Sequence, residues 1–210
     1  MRALVLFVCL SVGCLAQRPQ PCGEYIDRRL ATQSEKLMAY AKYSYDALGK
    51  RIRLSEFGSY ENKTFHLDVL LLFRRGVMYK INWKNQTCCK KPLNADFHPL
   101  EIPRNASLLG QVVLGGSSGP GQGVLVNSWG GRETKVKRGK SKYMSTVTEF
   151  GCIPVSTLFH TSGSGWKVTN FFNNVIGLVD PQRLIPPHFC KGAELENSSD
   201  EDPMTFFSLF

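Results

Sequence analysis

The sequence lacks the patterns that would point to a membrane anchor or a common cofactor. After residue 16, no apolar run approaches the roughly 18 residues that a membrane-spanning helix needs. There is no C-x-x-C pair and no histidine at zinc-binding spacing. The glycine patterns fail to match a phosphate loop or a dinucleotide-binding fingerprint, and no EF-hand loop occurs. These absences favour a binding protein over an enzyme.

One short stretch matches the G-x-S-x-G motif of serine hydrolases, with Ser117 in the position of the nucleophile. A nucleophile elbow needs a strand before the serine and a helix after it. Here the glycine-rich residues 119–123 follow, and they cannot begin a helix. We therefore predict a hairpin loop at Ser117 and no catalytic residues in the chain.

The first sixteen residues are typical of a secretory signal peptide. Arg2 supplies the positive charge, residues 3–10 are apolar, and residues 14–16 end the run with small side chains at the cleavage site. The alternative is a buried N-terminal helix, but the run does not alternate with polar residues. We expect cleavage after Ala16, secretion without a transmembrane segment, and no nucleic-acid partner.

Cleavage leaves an odd number of cysteines, namely Cys22, Cys88, Cys89, Cys152 and Cys190. In an oxidising compartment these cysteines are expected to pair. Because their number is odd, at least one of them is left free or bonds to another chain. Adjacent cysteines rarely satisfy disulfide geometry with each other, so Cys88 and Cys89 are each expected to bond elsewhere.

Four Asn-x-Ser/Thr sequons follow the signal peptide, at Asn62, Asn85, Asn105 and Asn197. A single sequon arises easily by chance, whereas four behind a signal peptide favour glycosylated surface loops. We expect at least two of the four to carry a glycan.

The formal net charge is +9, and the basic residues concentrate at Lys135, Lys137, Arg138, Lys140 and Lys142. Such a stretch is most simply the solvated face of a strand pair. The alternative is contact with anionic lipid headgroups or acidic glycans at a membrane surface. The C-terminal tail, by contrast, is acidic.

Strand signals outnumber helix signals along the chain. The clearest are hairpins in which apolar and polar residues alternate. About eight to eleven short strands favour one antiparallel sandwich or half-open barrel. With no linker or repeat, we predict one β domain over residues 17–195 and an acidic, aromatic tail over 196–210. The predicted strands lie within 36–46, 50–54, 66–73, 77–83, 111–114, 123–126, 143–149, 155–159 and 166–179.

An ordered set of motifs across the mature chain resembles the ependymins. No single motif is specific, but their order is. The matching segments are residues 62–70, 76–79, 84–88, 100–103, 151–155, 186–187 with Cys190, and 206–210.

The resemblance implies a secreted extracellular glycoprotein, or a lysosomal relative of one. It implies a mostly β fold of two stacked antiparallel sheets around a deep apolar pocket, similar to bacterial lipoprotein carriers. It also implies a homodimer, calcium binding, cell–matrix adhesion, and binding of lipids such as fatty acids or gangliosides. Many ependymins are acidic, whereas this chain is basic.

For particular residues, the resemblance implies disulfides between Cys22 and Cys152 and between Cys88 and Cys190. Cys89 is then a free or interchain thiol. The apolar strands would line the pocket, unless they fill a closed core. Two roles are expected: a carrier of hydrophobic ligands or, alternatively, a calcium-responsive adhesion glycoprotein without lipid. The predicted pocket residues are Val69, Leu71, Phe73, Val77, Tyr79, Ile81, Phe171 and Val175, and the weak calcium candidates are Asp200, Glu201 and Asp202.

Overall fold

The computed structural model describes residues 25–34, 36–97, 99–133, 141–161 and 165–196. Within these residues, eleven strands form one sheet. The strands are β1 Tyr25–Gln33, β2 Leu37–Asp46, β3 Arg51–Tyr60, β4 Lys63–Leu72, β5 Val77–Asn82, β6 Thr87–Pro92, β7 Ser107–Gly115, β8 Gly123–Glu133, β9 Ser141–Thr148, β10 Pro154–Thr161 and β11 Gly165–Ile176. Three short 3-10 helices span Phe73–Arg75, Pro181–Leu184 and His188–Cys190.

The sheet consists of two meanders joined side by side. Its strand order is β6-β5-β4-β3-β2-β1-β11-β10-β9-β8-β7. Each pair of neighbours is antiparallel, and the pairing of β1 with β11 joins the two meanders. Since β6 and β7 end the order without pairing to each other, the sheet stays open. The predicted mostly β, half-open antiparallel architecture is confirmed, with all described strands in one continuous sheet.

The predicted hairpins appear where the alternation of apolar and polar residues was strongest. β3 and β4 are joined by a two-residue turn in which both Glu61 and Asn62 have positive φ, at 47° and 64°. Such a turn matches the twist of the flanking strands and fixes their register. Residues 25–33 and 87–92, which were not predicted as strands, form β1 and β6.

One face of the sheet, the core face, carries the main apolar cluster. Leu30, Tyr43, Leu54 and Val69 lie across β1 to β4, and each is 1% exposed or less. The connection between β6 and β7 packs over this cluster through its apolar side chains. The backbone N–H of Leu100 in that connection donates to the Tyr45 hydroxyl at 3.1 Å.

The opposite face, the back face, is covered over β4 and β5 by the C-terminal segment, residues 178–190. Leu70, Leu72 and Tyr79 form a second cluster there with Leu184 and Cys190. The disulfide between Cys88 and Cys190 ties this segment to β6. The segment therefore closes the back face by apolar packing and by a covalent bond.

Candidate functional site

A buried arginine lies on the core face at the junction of the two meanders. Arg28 on β1 is 2% exposed. Its guanidinium carbon lies 4.6 Å from the ring centroid of Tyr43 and 4.5 Å from that of Phe171. Strand β2 supplies Tyr43 and strand β11 supplies Phe171, so the cation is held between two aromatic rings. None of its three side-chain nitrogens has a hydrogen-bond acceptor among the described residues.

The position of Arg28 follows from the alternation along β1. Ile26, Leu30 and Thr32 share its face and are also buried. An arginine at such a position is unusual, because buried charges are ordinarily paired and hydrogen-bonded. Two aromatic faces recover part of the desolvation energy through cation–π attraction.

Burial lowers the pKa of Arg28. The nearby Tyr43 raises it again in part, although no guanidinium nitrogen reaches hydrogen-bonding geometry with the Tyr43 hydroxyl. An arginine in a protein stays protonated even so. Arg28 is therefore a buried positive charge with open donors, on a face that also buries Lys167 and Glu56.

A row of hydroxyl groups crosses the core face next to the apolar cluster. The register aligns Thr32, Thr169, Thr157 and Ser145 on four neighbouring strands. Thr32 and Thr169 share a hydrogen bond of 3.1 Å. The core face thus combines an apolar surface, a hydroxyl row and a cation, which suits an amphiphilic molecule.

The core face is less densely packed over β9 and β10 than over β2 to β4. Tyr143, Ser145, Thr157 and Phe159 are half-buried, and none of them belongs to an apolar cluster of the described residues. Their side chains alternate onto the same face as Thr169. This part of the sheet offers surface to a bound molecule that the packed half does not.

The back face contains a second buried arginine whose hydrogen bonds are satisfied. Arg53 donates to both carboxylate oxygens of Asp68, at 2.9 and 2.8 Å, and to the carbonyl oxygen of Arg183 at 3.1 Å. The Trp83 indole N–H also donates to Asp68, at 2.8 Å. This cluster fastens the C-terminal segment onto the sheet.

The back face also has a shallow apolar groove near the β3–β4 turn. The groove has a volume of about 570 Å³. Met38, Tyr40 and Phe57 line it and are 50%, 44% and 58% exposed, and the two aromatic rings stack at 5.7 Å. No buried charge lines it, so it provides contact area without a polar anchor.

The eight predicted pocket residues do not share one surface. Val69 and Leu71 lie in the core-face cluster, and Phe73 and Phe171 pack against it. Three residues of β5, in contrast, pack into the back-face cluster beneath the C-terminal segment, and Val175 is 46% exposed. The eight residues therefore do not line one pocket, because the β5 residues lie on the back face and the β4 residues lie on the core face. The three β5 residues are Val77, Tyr79 and Ile81.

The pairing of Cys88 with Cys190, implied by the family resemblance, is present in the structure. Cys152 is also disulfide-bonded. Its predicted partner, Cys22, lies outside the described residues. Cys89 is a free cysteine whose thiol lies 3.1 Å from a carboxylate oxygen of Glu196. Burial and this carboxylate raise the pKa of the Cys89 thiol.

Three of the predicted glycosylation asparagines lie on exposed turns or loops. Asn62 is in the β3–β4 turn, Asn85 is in the β5–β6 turn, and Asn105 precedes β7. Their exposure is compatible with glycans, while Asn197 lies outside the described residues.

Of the predicted basic stretch, Lys142 is exposed on β9 and the other four residues lie outside the described ranges.

The hydrolase-like motif connects two antiparallel strands. Ser117 lies in the loop between β7 and β8, as predicted for a hairpin.

Among the described residues, no group of three or more His, Cys, Asp or Glu side chains could hold a metal ion. The calcium candidates Asp200, Glu201 and Asp202 lie outside the described part of the chain. No helix within the described ranges is long and apolar enough to span a bilayer.

Arg28 could not be found from the sequence because β1 itself was not predicted. Its signal was present as alternation at Ile26, Arg28, Leu30 and Thr32, where arginine takes the position of an apolar residue. From sequence alone, an arginine in that position is predicted to lie on the surface. The strand register instead places Arg28 opposite Tyr43.

Comparison with known proteins identifies the family. The family model named Ependymin matches residues 61–190. Ependymin-1 of Oncorhynchus mykiss is 35% identical over 99% of this chain and 96% of its own length. Mammalian ependymin-related protein 1 of Mus musculus is 31% identical over 87% of this chain and 81% of its own length.

A solved structure shares the fold at low sequence identity. It is an uncharacterized conserved protein from Thermus thermophilus, with a TM-score of 0.52 and 10% identity, and the match covers 83% of this chain and 90% of that one. The names of the family and of these relatives describe no catalytic activity. By the matches to the family model and to full-length relatives, the chain belongs to the ependymin family.

Proposed function

We propose that this ependymin is a secreted glycoprotein that binds a lipid-like ligand, such as a fatty acid or a ganglioside, on the core face of its sheet. It acts as a carrier and not as an enzyme, and it works in the extracellular space. The N-terminal signal pattern and the exposed sequons support secretion and glycosylation.

One observation carries the proposal: the core face continues beyond its packed cluster. Over β2 to β4 the cluster is sealed by the β6–β7 connection. Over β9 and β10 the same face carries half-buried Tyr143, Ser145, Thr157 and Phe159 outside the clusters. Concave apolar sites with a few polar groups are the usual form of small-molecule sites.

The test is uptake of a fatty acid by purified, deglycosylated protein. Native mass spectrometry should show co-purified lipid, or should show binding of one added fatty acid per chain after delipidation. A chain that carries no lipid and takes none up would indicate a closed core, and it would favour the calcium-responsive adhesion role. That role predicts a calcium-dependent change in mass or shape without lipid.

We also propose a homodimer formed through the edge strand β7. Leu109, Val112 and Leu114 on this strand are 59%, 57% and 53% exposed, and the strand contains no charged residue and no proline. An uncovered apolar edge is a template for pairing with another chain. Two copies pairing antiparallel would form a two-fold symmetric interface.

A charge placed on this edge should disrupt the dimer. Val112→Lys introduces a lysine on the exposed edge, so we expect light scattering to report a monomer. Val124→Lys is the matched control, since Val124 is 51% exposed but lies one strand further in, on β8. A dimer that persists in Val112→Lys would contradict pairing through β7.

A further inference from the structure

We infer that Arg28 is the anion-recognition residue of the core face, and that the ligand is an amphiphile with an anionic oxyacid headgroup. This inference rests on the proposed function and specifies the ligand class for the same face. The headgroup oxygens would accept hydrogen bonds from the guanidinium while the hydrocarbon tail lies along the apolar surface.

The hydrogen bonding of Arg28 gives the first reason. The side chain is 2% exposed, and its three nitrogens have no acceptor among the described residues. Buried guanidinium groups are ordinarily paired, because an unmet donor in a low-dielectric interior is strongly unfavourable. An anion bound at this position would supply the missing acceptors.

The second reason comes from Arg53, a buried arginine in the same sheet. Its guanidinium donates to two oxygens of one carboxylate and to a carbonyl oxygen. The fold can therefore satisfy a buried arginine completely, and for Arg53 it does so with Asp68. Arg28 has the same chemical requirement, and we assign its missing carboxylate to a ligand.

The third reason is the pair of aromatic rings beside the guanidinium. The ring centroids of Tyr43 and Phe171 lie 4.6 and 4.5 Å from its central carbon. Aromatic rings attract the cation without supplying the oxygen acceptors that its N–H groups need, so those donors are left to bind. A planar, fixed fork of donors matches a carboxylate or phosphate, which it can bind in a bidentate manner.

The surroundings favour an amphiphile over a free inorganic anion. On the same face, half-buried Tyr143 and Phe159 form an apolar surface outside the buried clusters, and a hydrocarbon chain can cover it. Half-buried Ser145 and Thr157 on the same two strands offer polar contacts beside it. A small anion would leave this apolar surface without a partner.

The test compares an acid with its uncharged ester. The full-length mature protein is titrated at pH 7.4 with cis-parinaric acid and with its methyl ester, and the intrinsic fluorescence of each probe reports binding. Dodecyl phosphate and inorganic phosphate are then used as competitors. Competition by dodecyl phosphate extends the headgroup class to lipid phosphates, and its failure to compete limits the class to carboxylates; either result is compatible with anion recognition.

We expect the wild-type protein to bind the acid about 10- to 100-fold more tightly than the ester, the range for a hydrogen bond to a charged group. Arg28→Met should remove this preference while retaining ester binding. Arg29→Met is the matched control, because it removes the same charge from the next residue of β1, whose side chain is exposed. It should keep the preference.

Three results would overturn the inference. Equal affinity of the wild type for acid and ester would do so without any variant, so the test stands even where Arg28→Met folds poorly. A preference that persists in Arg28→Met, or in the polar variant Arg28→Gln, would also overturn it. Displacement of the acid by inorganic phosphate, at the concentrations at which dodecyl phosphate displaces it, would replace the amphiphile with a free anion.

Failure of the proposed function gives a different pattern. If the protein binds neither the acid nor the ester, both lipid binding and the anion-recognition role of Arg28 are contradicted. If it binds both without preference, lipid binding stands and only the role of Arg28 is lost.

Discussion

The two faces of the sheet each bury an arginine, and they treat it differently. On the back face, Arg53 is 5% exposed and donates to Asp68 and to the backbone of the C-terminal segment. On the core face, Arg28 is 2% exposed and lies between two rings with open donors. Since both are buried on the same scaffold, burial alone does not explain the difference.

The contrast indicates that the two faces have different roles. On the back face, a buried ion pair, an apolar cluster and a disulfide together hold the C-terminal segment against the sheet. The core face keeps a cation in a position where the described residues supply no acceptor. Both faces contribute apolar packing to stability, and ligand binding is expected on the core face.

The largest effect is expected from breaking the ion pair of the back face. Asp68→Ala leaves Arg53 buried without its carboxylate and removes the acceptor of the Trp83 N–H. Removal of one partner of a buried pair lowers the free energy of unfolding by roughly 3–5 kcal/mol. Urea unfolding of the mature protein measures this change, and a loss below about 1 kcal/mol would contradict the role of the cluster.

The next largest effect should come from the disulfide that holds the same segment. Cys88 and Cys190 are 102 residues apart, so their bond closes a long loop. Replacing both by serine should lower the free energy of unfolding by roughly 2–5 kcal/mol. Cys89→Ser is the control and should shift it by less than about 0.5 kcal/mol, as is usual for positions without such a feature. Equal losses in both proteins would indicate that Cys89 takes part in the native pairing.

On the core face, the corresponding substitution should not destabilise the ligand-free protein. Arg28→Met replaces a buried cation without acceptors by an apolar side chain of similar length. Such replacements are often neutral or stabilising, so we expect the free energy of unfolding to stay the same or to rise by up to about 2 kcal/mol. Thermal unfolding of delipidated protein measures this. A loss of more than about 1 kcal/mol would assign Arg28 a structural role like that of Arg53.

The smallest effect concerns the reactivity of Cys89. Burial and the Glu196 carboxylate raise the pKa of its thiol. A raised pKa means less thiolate at a given pH below it, so alkylation by iodoacetamide at pH 8 should be slower than for a model cysteine peptide. Glu196→Gln should speed the reaction a few-fold, whereas Glu194→Gln, the neighbouring control, should not. Equal rates in both variants would remove the carboxylate as a cause.

The strands that the sequence predicted are those with an unambiguous period. The hairpins β2–β3 and β4–β5 have clear alternation or a continuous apolar run. β1 was missed because Arg28 and Arg29 interrupt its apolar pattern, and β6 because it is short, polar and ends in proline. Both became evident only through pairing with neighbouring strands.

The binding face could be predicted only in part, because a strand buried on both faces does not show which face holds a ligand. Val69 and Leu71 lie on the core face, whereas Leu70 and Leu72, one residue along, lie on the back face. The period of two predicts that neighbours differ in face, but what covers each face depends on segments distant in sequence. The covering Leu184 and Cys190 are examples, since both lie more than 100 residues away from β4.

The most direct test of ligand binding on the core face is to map where a lipid binds at the level of single residues. A diazirine-bearing fatty acid is photolysed with the mature protein, and the modified side chains are identified by tandem mass spectrometry. We expect labels on core-face residues such as Phe159 and Phe171, with competition by unlabelled fatty acid. Labels confined to Met38, Tyr40 and Phe57 would place the ligand in the back-face groove and contradict binding on the core face.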